Sequence, residues 1–482
     1  MSGRGVRRTG TLLLSLGLAV AAACSGAEEK KPETAVQVWV TMPDKSLLLE
    51  RQEDVSFGRA ADPETLTVAV DDGVRYQRME GFGASLTDSS AWLIANRLSE
   101  RQREELMKLL FDHEAGIGIS YLRLPMGASD FALGLYSYND MPQGEADPEL
   151  SRFSIEHDRA YVVPLLKQAL AINPELSLMA SPWSPPGWMK TSDSLIGGNL
   201  RPDSYEAFAR YFVKFLEAYR DEGVPIGAIT LQNEPHHVPS DYPGMRMNAE
   251  EQTLLVKKHV GPALREAGLA TDIVIWDHNW DETYYPLAVL NDPEAKEFVA
   301  GTAFHGYAGQ VEAQSRLHEA HPDKGIYFTE SSGGEWATDF GANVRWDMQT
   351  LIIGATRNWA KTVLKWNLAL DENHGPKLGG CQDCRGVVTI GQSTGEATLN
   401  EEYYAFGHAS KFVRAGAYRI ESDSHGNESI ETTAFLNPDG SLVLIALNSS
   451  AVSLDFQVKW RERAYAYTLP AGAAATFVWH SA

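Results

Sequence analysis

Short apolar runs alternate with longer amphipathic segments between residues 81 and 413. The amphipathic segments carry apolar residues at helical spacing, most clearly in 205–219, 250–267, 344–359 and 401–413. Eight apolar runs of strand length lie between such segments. They end near Gly83, Leu124, Pro182, Glu234, Asp277, His305, Glu330 and Asn367.

Eight strands alternating with helices predict an α/β fold of the (β/α)8 barrel type over residues 81–413. A doubly wound open sheet is the alternative. It is disfavoured because no glycine-rich phosphate loop follows a strand in this sequence.

The two flanking regions have a β pattern. In residues 35–80, Val36, Val38 and Val40 alternate with other residues. In residues 414–482 the helical period is lost, and two apolar runs flank the turn Asn437-Pro438-Asp439-Gly440. We expect 414–482 to form a β-sandwich, with the N-terminal strands of 35–80 packed on it.

The first residues have the pattern of an export signal. Arg4, Arg7 and Arg8 precede an apolar stretch, 11–23, that is too short to span a bilayer as a normal helix. The sequence Ala21-Ala22-Ala23-Cys24 resembles a bacterial lipobox, so residues 1–23 are predicted to be a lipoprotein-type signal peptide. Cys24 is then the lipidation candidate, and 24–34 a polar tether. The alternative is an ordinary signal peptide; both imply export, to the periplasm or the cell surface in the lipoprotein case.

The charge of the chain limits its partners. A formal net charge of -22 argues against nucleic acid or an anionic membrane surface. A neutral substrate fits better, with membrane attachment only through the N-terminal lipid. No oligomeric state is predicted.

Cys381 and Cys384 are the remaining cysteines. In an oxidising compartment, a pair three residues apart is expected to form a small disulfide within a loop. A redox motif or half of a zinc site is the alternative, and no second cysteine pair supports the zinc site.

Polar and aromatic side chains are concentrated at the predicted strand ends. In a barrel these ends converge on one face and form the active site. The side chains are Asp88, Arg123, Asp130, Trp183, Asn233, Glu234, Asp277, His278, Asn279, His305, Tyr307, Glu330, Trp366 and Asn367.

Carboxylates, amides and indoles are the groups that a neutral sugar requires. Carboxylates accept hydrogen bonds from hydroxyls, and an indole offers a flat apolar surface to the sugar ring. Retaining sugar hydrolysis needs two carboxyl groups about 5 Å apart. We assign Glu234 as acid/base and Glu330 as nucleophile, with Asn233 placed to bind the sugar 2-hydroxyl.

Each of these residues also has a structural interpretation. A glutamate before proline is more often part of a turn or an ion pair, and Arg123 could simply neutralise carboxylates. Trp183 could be core, and His305 could be a buried histidine with satisfied hydrogen bonds. The hypothesis depends on the whole set sharing one face.

Two other classes of protein compete with a glycosidase. A non-catalytic glycan-binding protein would keep the tryptophans but would tolerate loss of either glutamate. A metal-dependent hydrolase could use Asp277, His278 and His305, but no metal-ligand spacing supports it.

Several longer motifs resemble one family, glycoside hydrolase family 30. They are Gly81–Asp88, Leu122–Met126, Ser181–Ser184, Gln232–Pro235, Phe328–Glu330, Trp366–Leu370 and Gly407–Val413. The resemblance implies a barrel with an attached β-sandwich, and retention through a glycosyl-enzyme intermediate.

The resemblance also implies roles for single residues. Glu234 matches the family's acid/base and Glu330 its nucleophile. Its glucose-binding residues correspond to Asp88, Trp183, Asn233 and Trp366, with Asn367 a further match. Arg123, His305 and Tyr307 complete the predicted substrate-binding set. No metal or cofactor is implied.

The loop 381–386 and the segment 184–188 favour the β-1,6-glucanase-like branch of that family. The alternatives are a glucosylceramidase-like β-glucosidase and, more weakly, a β-xylosidase. The expected substrate is therefore a neutral β-glucan or β-glucoside.

Overall fold

The computed structural model describes residues 35–58 and 64–480. The predicted signal peptide, the tether and Cys24 lie outside these residues. The described chain contains a closed barrel and a separate sheet of ten strands. No helix within the described ranges combines the length and hydrophobicity needed to cross a membrane.

The barrel consists of eight parallel strands, which confirms the predicted fold. Each strand pairs with the next in sequence, and the last pairs with the first through Thr362 and Gly81. In chain order the barrel strands are β1 Gly81–Ser85, β2 Tyr121–Pro125, β3 Ser177–Ser181, β4 Ala228–Thr230, β5 Asp272–Asn279, β6 Val299–His305, β7 Gly325–Glu330 and β8 Ala360–Asn367.

One predicted strand end was wrong. Strand β4 ends at Thr230, so Glu234 lies in the following loop rather than on the strand. The φ angle of Glu234 is 44°, and its backbone N–H donates to the carbonyl of Asp277 at 3.0 Å. The chain has therefore left the parallel ladder before it reaches the glutamate.

Helices occupy the connections between the barrel strands. Ser99 and Gln102 form the capping box at the start of 100–111, since each side chain bonds the other residue's backbone. The helices are Asp88–Asn96, Glu100–Phe111, Glu156–Arg159, Val162–Ile172, Tyr205–Asp221, Ala249–Leu255 with its extension to Glu266, Tyr284–Leu290, Pro293–Lys296, Ala313–Ala320, Phe340–Trp346 with its extension to Ala355, and Glu401–Ser410. Short 3-10 turns cover Gly187–Met189 and Pro202–Ser204.

The β-sandwich draws strands from both ends of the chain. Ala35–Thr41 pairs with Ala474–His480, and Leu66–Arg78 lies between Tyr418–Ser422 and Leu454–Trp460. The other strands are Glu50–Arg51, Val55–Ser56, Ile430–Leu436, Ser441–Asn448 and Arg463–Leu469.

One sandwich strand connects the two hydrophobic cores. On Ser441–Asn448, Leu442 and Leu444 belong to the core of the sandwich, whereas Val443 and Ile445 pack in the core of the barrel. Alternate side chains of a strand point to opposite faces, so one strand serves both cores. The sandwich is thereby fixed against the barrel.

Short strands also form in the segments that follow β7 and β8. Gly333–Gly334 pairs with Cys384–Arg385, and Ala369–Asp371, Val388–Ile390 and Ala397–Leu399 form a small sheet.

Candidate active site

Arg123 lies at the centre of the converging strand ends. Its side chain is fully buried and donates to Glu330 Oε2 at 2.6 Å, Asn233 Oδ1 at 2.7 Å and Asp277 Oδ2 at 2.7 Å. Burial opposes its charge, but Asp277 and Glu330 outweigh burial and raise the pKa of Arg123. It is a fixed positive charge that holds the side chains of Glu330, Asn233 and Asp277 together by hydrogen bonds.

Asp277 is the second buried charge. Oδ2 also accepts from Ser181 at 2.6 Å and Thr230 at 2.7 Å, and Oδ1 accepts from Thr329 at 2.8 Å. Burial alone would raise the pKa of Asp277, but Arg123, His305 and these hydroxyls hold it well below its usual range. Asp277 is therefore an ionised anchor that does not titrate near neutral pH.

The two predicted catalytic glutamates lie close together, near Asp277. One carboxylate oxygen of Glu234, one carboxylate oxygen of Glu330 and one ring nitrogen of His305 all lie within 4.8 Å of one another. That closeness matches the carboxyl spacing of retaining rather than inverting glycosidases. Tyr307 donates its hydroxyl to Glu330 Oε1 at 3.0 Å.

The two glutamates differ in their electrostatic environment. Burial and the charge of Glu234 raise the pKa of Glu330, while His305 and Arg123 oppose this shift. Burial also acts to raise the pKa of Glu234, but the hydrogen bond and charge of His305 lower it overall.

These shifts favour the proton on Glu330, the reverse of the assigned roles, so the assignment depends on the family motifs that the two glutamates match. Arg123 forms a hydrogen-bonded ion pair with Glu330 and not with Glu234. That direct ion pair stabilises the ionised form of Glu330 when the two carboxyls share one proton.

Trp183 and Trp366 form an aromatic wall. Their rings stack with centroids 4.9 Å apart and planes inclined by 21°, and the Arg123 guanidinium lies 4.9 and 5.6 Å from the two centroids. Trp183 follows β3, and Trp366 is the second-last residue of β8. Indole rings beside carboxylates can offer the apolar face of a sugar ring a contact surface.

The orientation of Asn233 follows from its partner. Arginine only donates hydrogen bonds, so the atom of Asn233 that faces Arg123 must be the carbonyl Oδ1. The amide Nδ2 is then directed away from Arg123 and can donate to a substrate hydroxyl.

Two of the predicted substrate-binding residues act on the glutamates. His305 is fully buried, and its Nδ1 lies 2.9 Å from Glu234 Oε1 while Nε2 lies 3.1 Å from Asp277 Oδ1. Tyr307 is half-exposed and reaches both Glu330 and open solvent. His305 contacts Glu234, the predicted acid, whereas the exposed side of Tyr307 can also contact substrate.

Asp88 is placed differently from the expectation for a sugar ligand. Its buried carboxylate already accepts from Tyr161 Oη at 2.5 Å and Leu133 N at 2.9 Å, and it pairs with His157 Nε2 at 2.8 Å. These contacts engage both carboxylate oxygens of Asp88 and fix the loop after β2.

Asp130, on that same loop, has the free carboxylate oxygen that a sugar-binding residue needs. Its Oδ1 is buried and has no hydrogen-bond partner among the described residues. Burial and the charges of Glu330 and Glu234 raise its pKa well above the usual range. Asp130 was visible at a strand end in the sequence, but nothing there showed which of the two aspartates had a free oxygen.

The loop after β8 covers Asp130. Leu378 N donates to Asp130 O at 2.7 Å, and Gly380 N donates to Asp241 on the loop after β4. A disulfide joins Cys381 to Cys384, whose side chain packs with Trp366. Sequence reasoning missed this covering role, since it depends on contacts between distant loops.

Asn367 is fully buried at the end of β8. Its Oδ1 accepts a hydrogen bond from the Thr87 hydroxyl at 3.0 Å, so Asn367 holds the segment that follows β1 in place.

Within the described ranges, one group of three side chains could reach a single metal ion, and it is Glu234, His305 and Glu330. The guanidinium of Arg123, 2.6 Å from Glu330, places a fixed positive charge against that position and disfavours a divalent cation there.

Comparison with known proteins agrees with this geometry. Residues 79–413 match the family model of the glycosyl hydrolase family 30 TIM-barrel domain, and 416–477 match that family's β-sandwich domain. An endo-1,6-β-D-glucanase of Neurospora crassa is 35% identical over 415 residues, covering 81% of this chain and 83% of the relative. The lysosomal acid glucosylceramidase of Mus musculus is 30% identical over 437 residues, covering 84% and 82%.

A solved structure described as an endo-β1,6-glucanase superposes with a TM-score of 0.87 at 33% identity, covering 93% of this chain and 100% of that structure. Family models of the barrel and of the β-sandwich together span most of the chain, and a relative is 35% identical over four-fifths of it, which establishes that this chain is a glycoside hydrolase of family 30.

Proposed function

We propose that this chain hydrolyses β-1,6-linked glucan with retention of anomeric configuration, using Glu330 as nucleophile and Glu234 as acid/base. The observation that carries the proposal is the pair of carboxyls within 4.8 Å, beside the stacked Trp183 and Trp366. The β-1,6-glucanases among the relatives support the choice of linkage.

In the first half-reaction, a glucose residue lies on the aromatic wall. Glu330 attacks the anomeric carbon while Glu234 gives its proton to the leaving oxygen. The Asn233 amide donates to the 2-hydroxyl, a contact that strengthens in the oxocarbenium-like transition state. Asp130 accepts a hydrogen bond from another hydroxyl of the same sugar, since its Oδ1 has no partner in the described part of the chain.

In the second half-reaction, Glu234 acts as a base. It removes a proton from water, the water oxygen attacks the anomeric carbon, and the ester bond to Glu330 breaks. Arg123 and Tyr307 stabilise the carboxylate that Glu330 becomes, because both already donate to it.

Two substitutions test the assigned roles. Glu330→Gln and Glu234→Gln should each lower kcat/KM on β-1,6-gluco-oligosaccharides by about 10²-fold or more, as expected for loss of a nucleophile or a general acid. Glu319→Gln, an exposed residue of the helix 313–320, is the matched control and should keep full activity.

Azide distinguishes the two roles. In Glu234→Gln it should restore turnover of an activated aryl β-glucoside and yield a β-glycosyl azide, because azide needs no base to attack the intermediate. If Glu330→Gln retained the full rate, or azide rescued neither variant, the assignment would be wrong.

A second candidate substrate is a glucosylceramide, since the mouse relative is a glucosylceramidase. Initial rates on β-1,6-glucan, β-1,3-glucan, xylan, glucosylceramide and aryl β-glucosides decide between them. We expect the highest kcat/KM on β-1,6-glucan; a higher value on glucosylceramide would favour the second candidate.

We also propose that the protein is exported and lipidated at Cys24. The proposal is supported by the basic and apolar segments before Cys24 and by a disulfide at 381–384, which suits an oxidising compartment. Metabolic labelling with palmitate should mark the full chain and not Cys24→Ser. An unlabelled but processed chain would instead indicate an ordinary signal peptide.

A further inference from the structure

His305 is enclosed between two carboxyl groups and has no path to substrate. The ring is fully buried, with Nε2 3.1 Å from Asp277 Oδ1 and Nδ1 2.9 Å from Glu234 Oε1. Glu330 Oε1 lies 3.9 Å from Nδ1. His305 therefore acts on the reaction through its hydrogen bond to Glu234 and through its charge on Glu330, and not by contact with substrate.

The protons on the ring follow from Asp277. Asp277 is ionised and can only accept, so Nε2 carries a proton and donates it. Nδ1 then either accepts a hydrogen bond from protonated Glu234 or carries a second proton and donates to it.

The surroundings of the ring favour the second proton. Glu234, Asp277 and Glu330 face it, and the positive charge of Arg123 is already shared between Asp277 and Glu330. The other neighbours are neutral: burial lowers the pKa of His278 to about 4, and Tyr307 is a phenol. Burial opposes a charge on His305, but Glu330, Asp277 and Glu234 together raise its pKa to about 9.

We propose that His305 is a positioning residue that remains an imidazolium through the reaction and occupies Oε1 of Glu234, so that Oε2 alone exchanges the catalytic proton. This inference rests on the proposed function. The proton moves from Oε2 to the glycosidic oxygen as the C–O bond breaks, and the C–O electron pair stays on that oxygen. In the second half-reaction a proton returns from water to Oε2, while the Nδ1 proton stays on the ring.

The direction of a pH effect separates this arrangement from its alternative. An imidazolium at Oε1 stabilises the carboxylate form of Glu234, so the protonated acid is lost at a lower pH. A neutral ring that accepted from Glu234 would stabilise the protonated form and would keep the acid active to a higher pH.

The experiment is the pH dependence of kcat/KM for His305→Gln on a β-1,6-gluco-oligosaccharide. The alkaline limb reports the acid of the free enzyme. We expect it to move to higher pH by roughly one unit or more, which is the shift expected when a neighbouring charge is removed. A limb that moved to lower pH, or did not move, would overturn the proposal.

Two controls accompany this variant. Thr302→Val changes a buried residue of the same strand that bonds neither glutamate, and its pH profile should match the unsubstituted enzyme. A 2,4-dinitrophenyl β-glucoside needs no proton on its leaving group, so its cleavage by His305→Gln should persist. If the unsubstituted enzyme cleaved no β-glucoside, the proposed function itself would fail.

A measurement on the unsubstituted protein keeps the test valid even if His305→Gln does not fold. Among the 13 histidines, ¹⁵N-histidine spectra should show a buried ring that is doubly protonated at pH 7.5 and titrates near pH 9. Its midpoint should fall in Glu234→Gln. Absence of such a ring would overturn the proposal.

Discussion

Three neighbouring residues of the site have left-handed backbones. The φ angles are 44° for Glu234, 71° for Trp276 and 66° for Asp277, values that cost energy for residues other than glycine. The turn at 276–277 shifts the register of β5 against β6, and Glu234 N bonds the carbonyl of Asp277. This backbone conformation places the Asp277 side chain against Arg123 and His305, and the Glu234 side chain against His305.

For single residues, the sequence pattern predicted the residue types of the site more reliably than their contacts. The pattern placed carboxylates and tryptophans at strand ends, because strand ends of a barrel must converge. It could not distinguish Asp88 from Asp130, since the difference is whether Tyr161, His157 and Leu133 N already occupy the carboxylate.

Asp130 and Asp88 should therefore respond differently to substitution. Asp130→Ala removes a hydrogen-bond acceptor for the sugar and should lower kcat/KM about tenfold or more, with little change in thermal stability. The kinetics of aryl β-glucoside hydrolysis, with a melting curve, measure both effects.

Asp88→Asn should show the opposite balance. It weakens three buried contacts, so we expect a loss of about 1–3 kcal/mol in the free energy of unfolding and a smaller loss of kcat/KM than in Asp130→Ala. An Asp88 variant with normal stability and no sugar affinity would contradict the assignment.

Among the elements, the loop after β8 is the one whose function depends on a covalent link. The disulfide holds Cys384 against Trp366, and Leu378 of the same loop bonds Asp130. Neighbouring strand ends could be inferred from the sequence. The meeting of this loop with 237–242 could not, because contacts between distant loops leave no periodic pattern.

Replacing both cysteines by serine should loosen this cover without unfolding the barrel. We expect KM for β-1,6-gluco-oligosaccharides to rise several-fold with kcat nearly kept. Steady-state kinetics under non-reducing conditions measure this, and reduction of the unsubstituted enzyme should reproduce it. Unchanged KM in both cases would show that the loop does not contribute to binding.

Helix 401–410 joins the barrel to the sandwich through His408. The buried ring bonds Thr41 and Thr476, each at 2.8 Å, and burial lowers its pKa to about 3. Because the folded pKa is depressed, the neutral ring contributes stability above pH 6.5, and this contribution is lost as the pH falls towards 3.

Urea unfolding between pH 6.5 and 3 should therefore show a component of roughly 1.4 kcal/mol per pH unit from one proton taken up on unfolding. His408→Gln should lack that component. An identical pH slope in both proteins would show that His408 is not the group responsible.

In the whole molecule, barrel and sandwich share a strand, so we expect them to unfold as one unit. Strand 441–448 contributes side chains to both cores, and the N-terminal strand 35–41 closes the sandwich against 474–480. The β pattern at both chain ends indicated these strands. The run 441–448 is apolar on both faces, which is typical of a strand buried on both sides, but the pattern does not say which core each face contacts.

A defect in the sandwich should therefore affect the catalytic barrel. Val38→Ala removes buried methyl groups from the sandwich core and should cost about 1–3 kcal/mol. We expect a single thermal transition at lower temperature, with activity lost at the same temperature as secondary structure. Val452→Ala, at an exposed position, is the control. Two separate transitions would contradict the coupling.

The proposed mechanism requires Glu330 to form a covalent bond to the sugar. The most direct measurement is mass spectrometry of the protein after incubation with an activated 2-deoxy-2-fluoro-β-glucoside, followed by peptide mapping. We predict a mass increase of one fluoroglucosyl group, located on Glu330 and absent in Glu330→Gln. A label on another residue, or no label while the substrate is hydrolysed with inversion, would contradict the account.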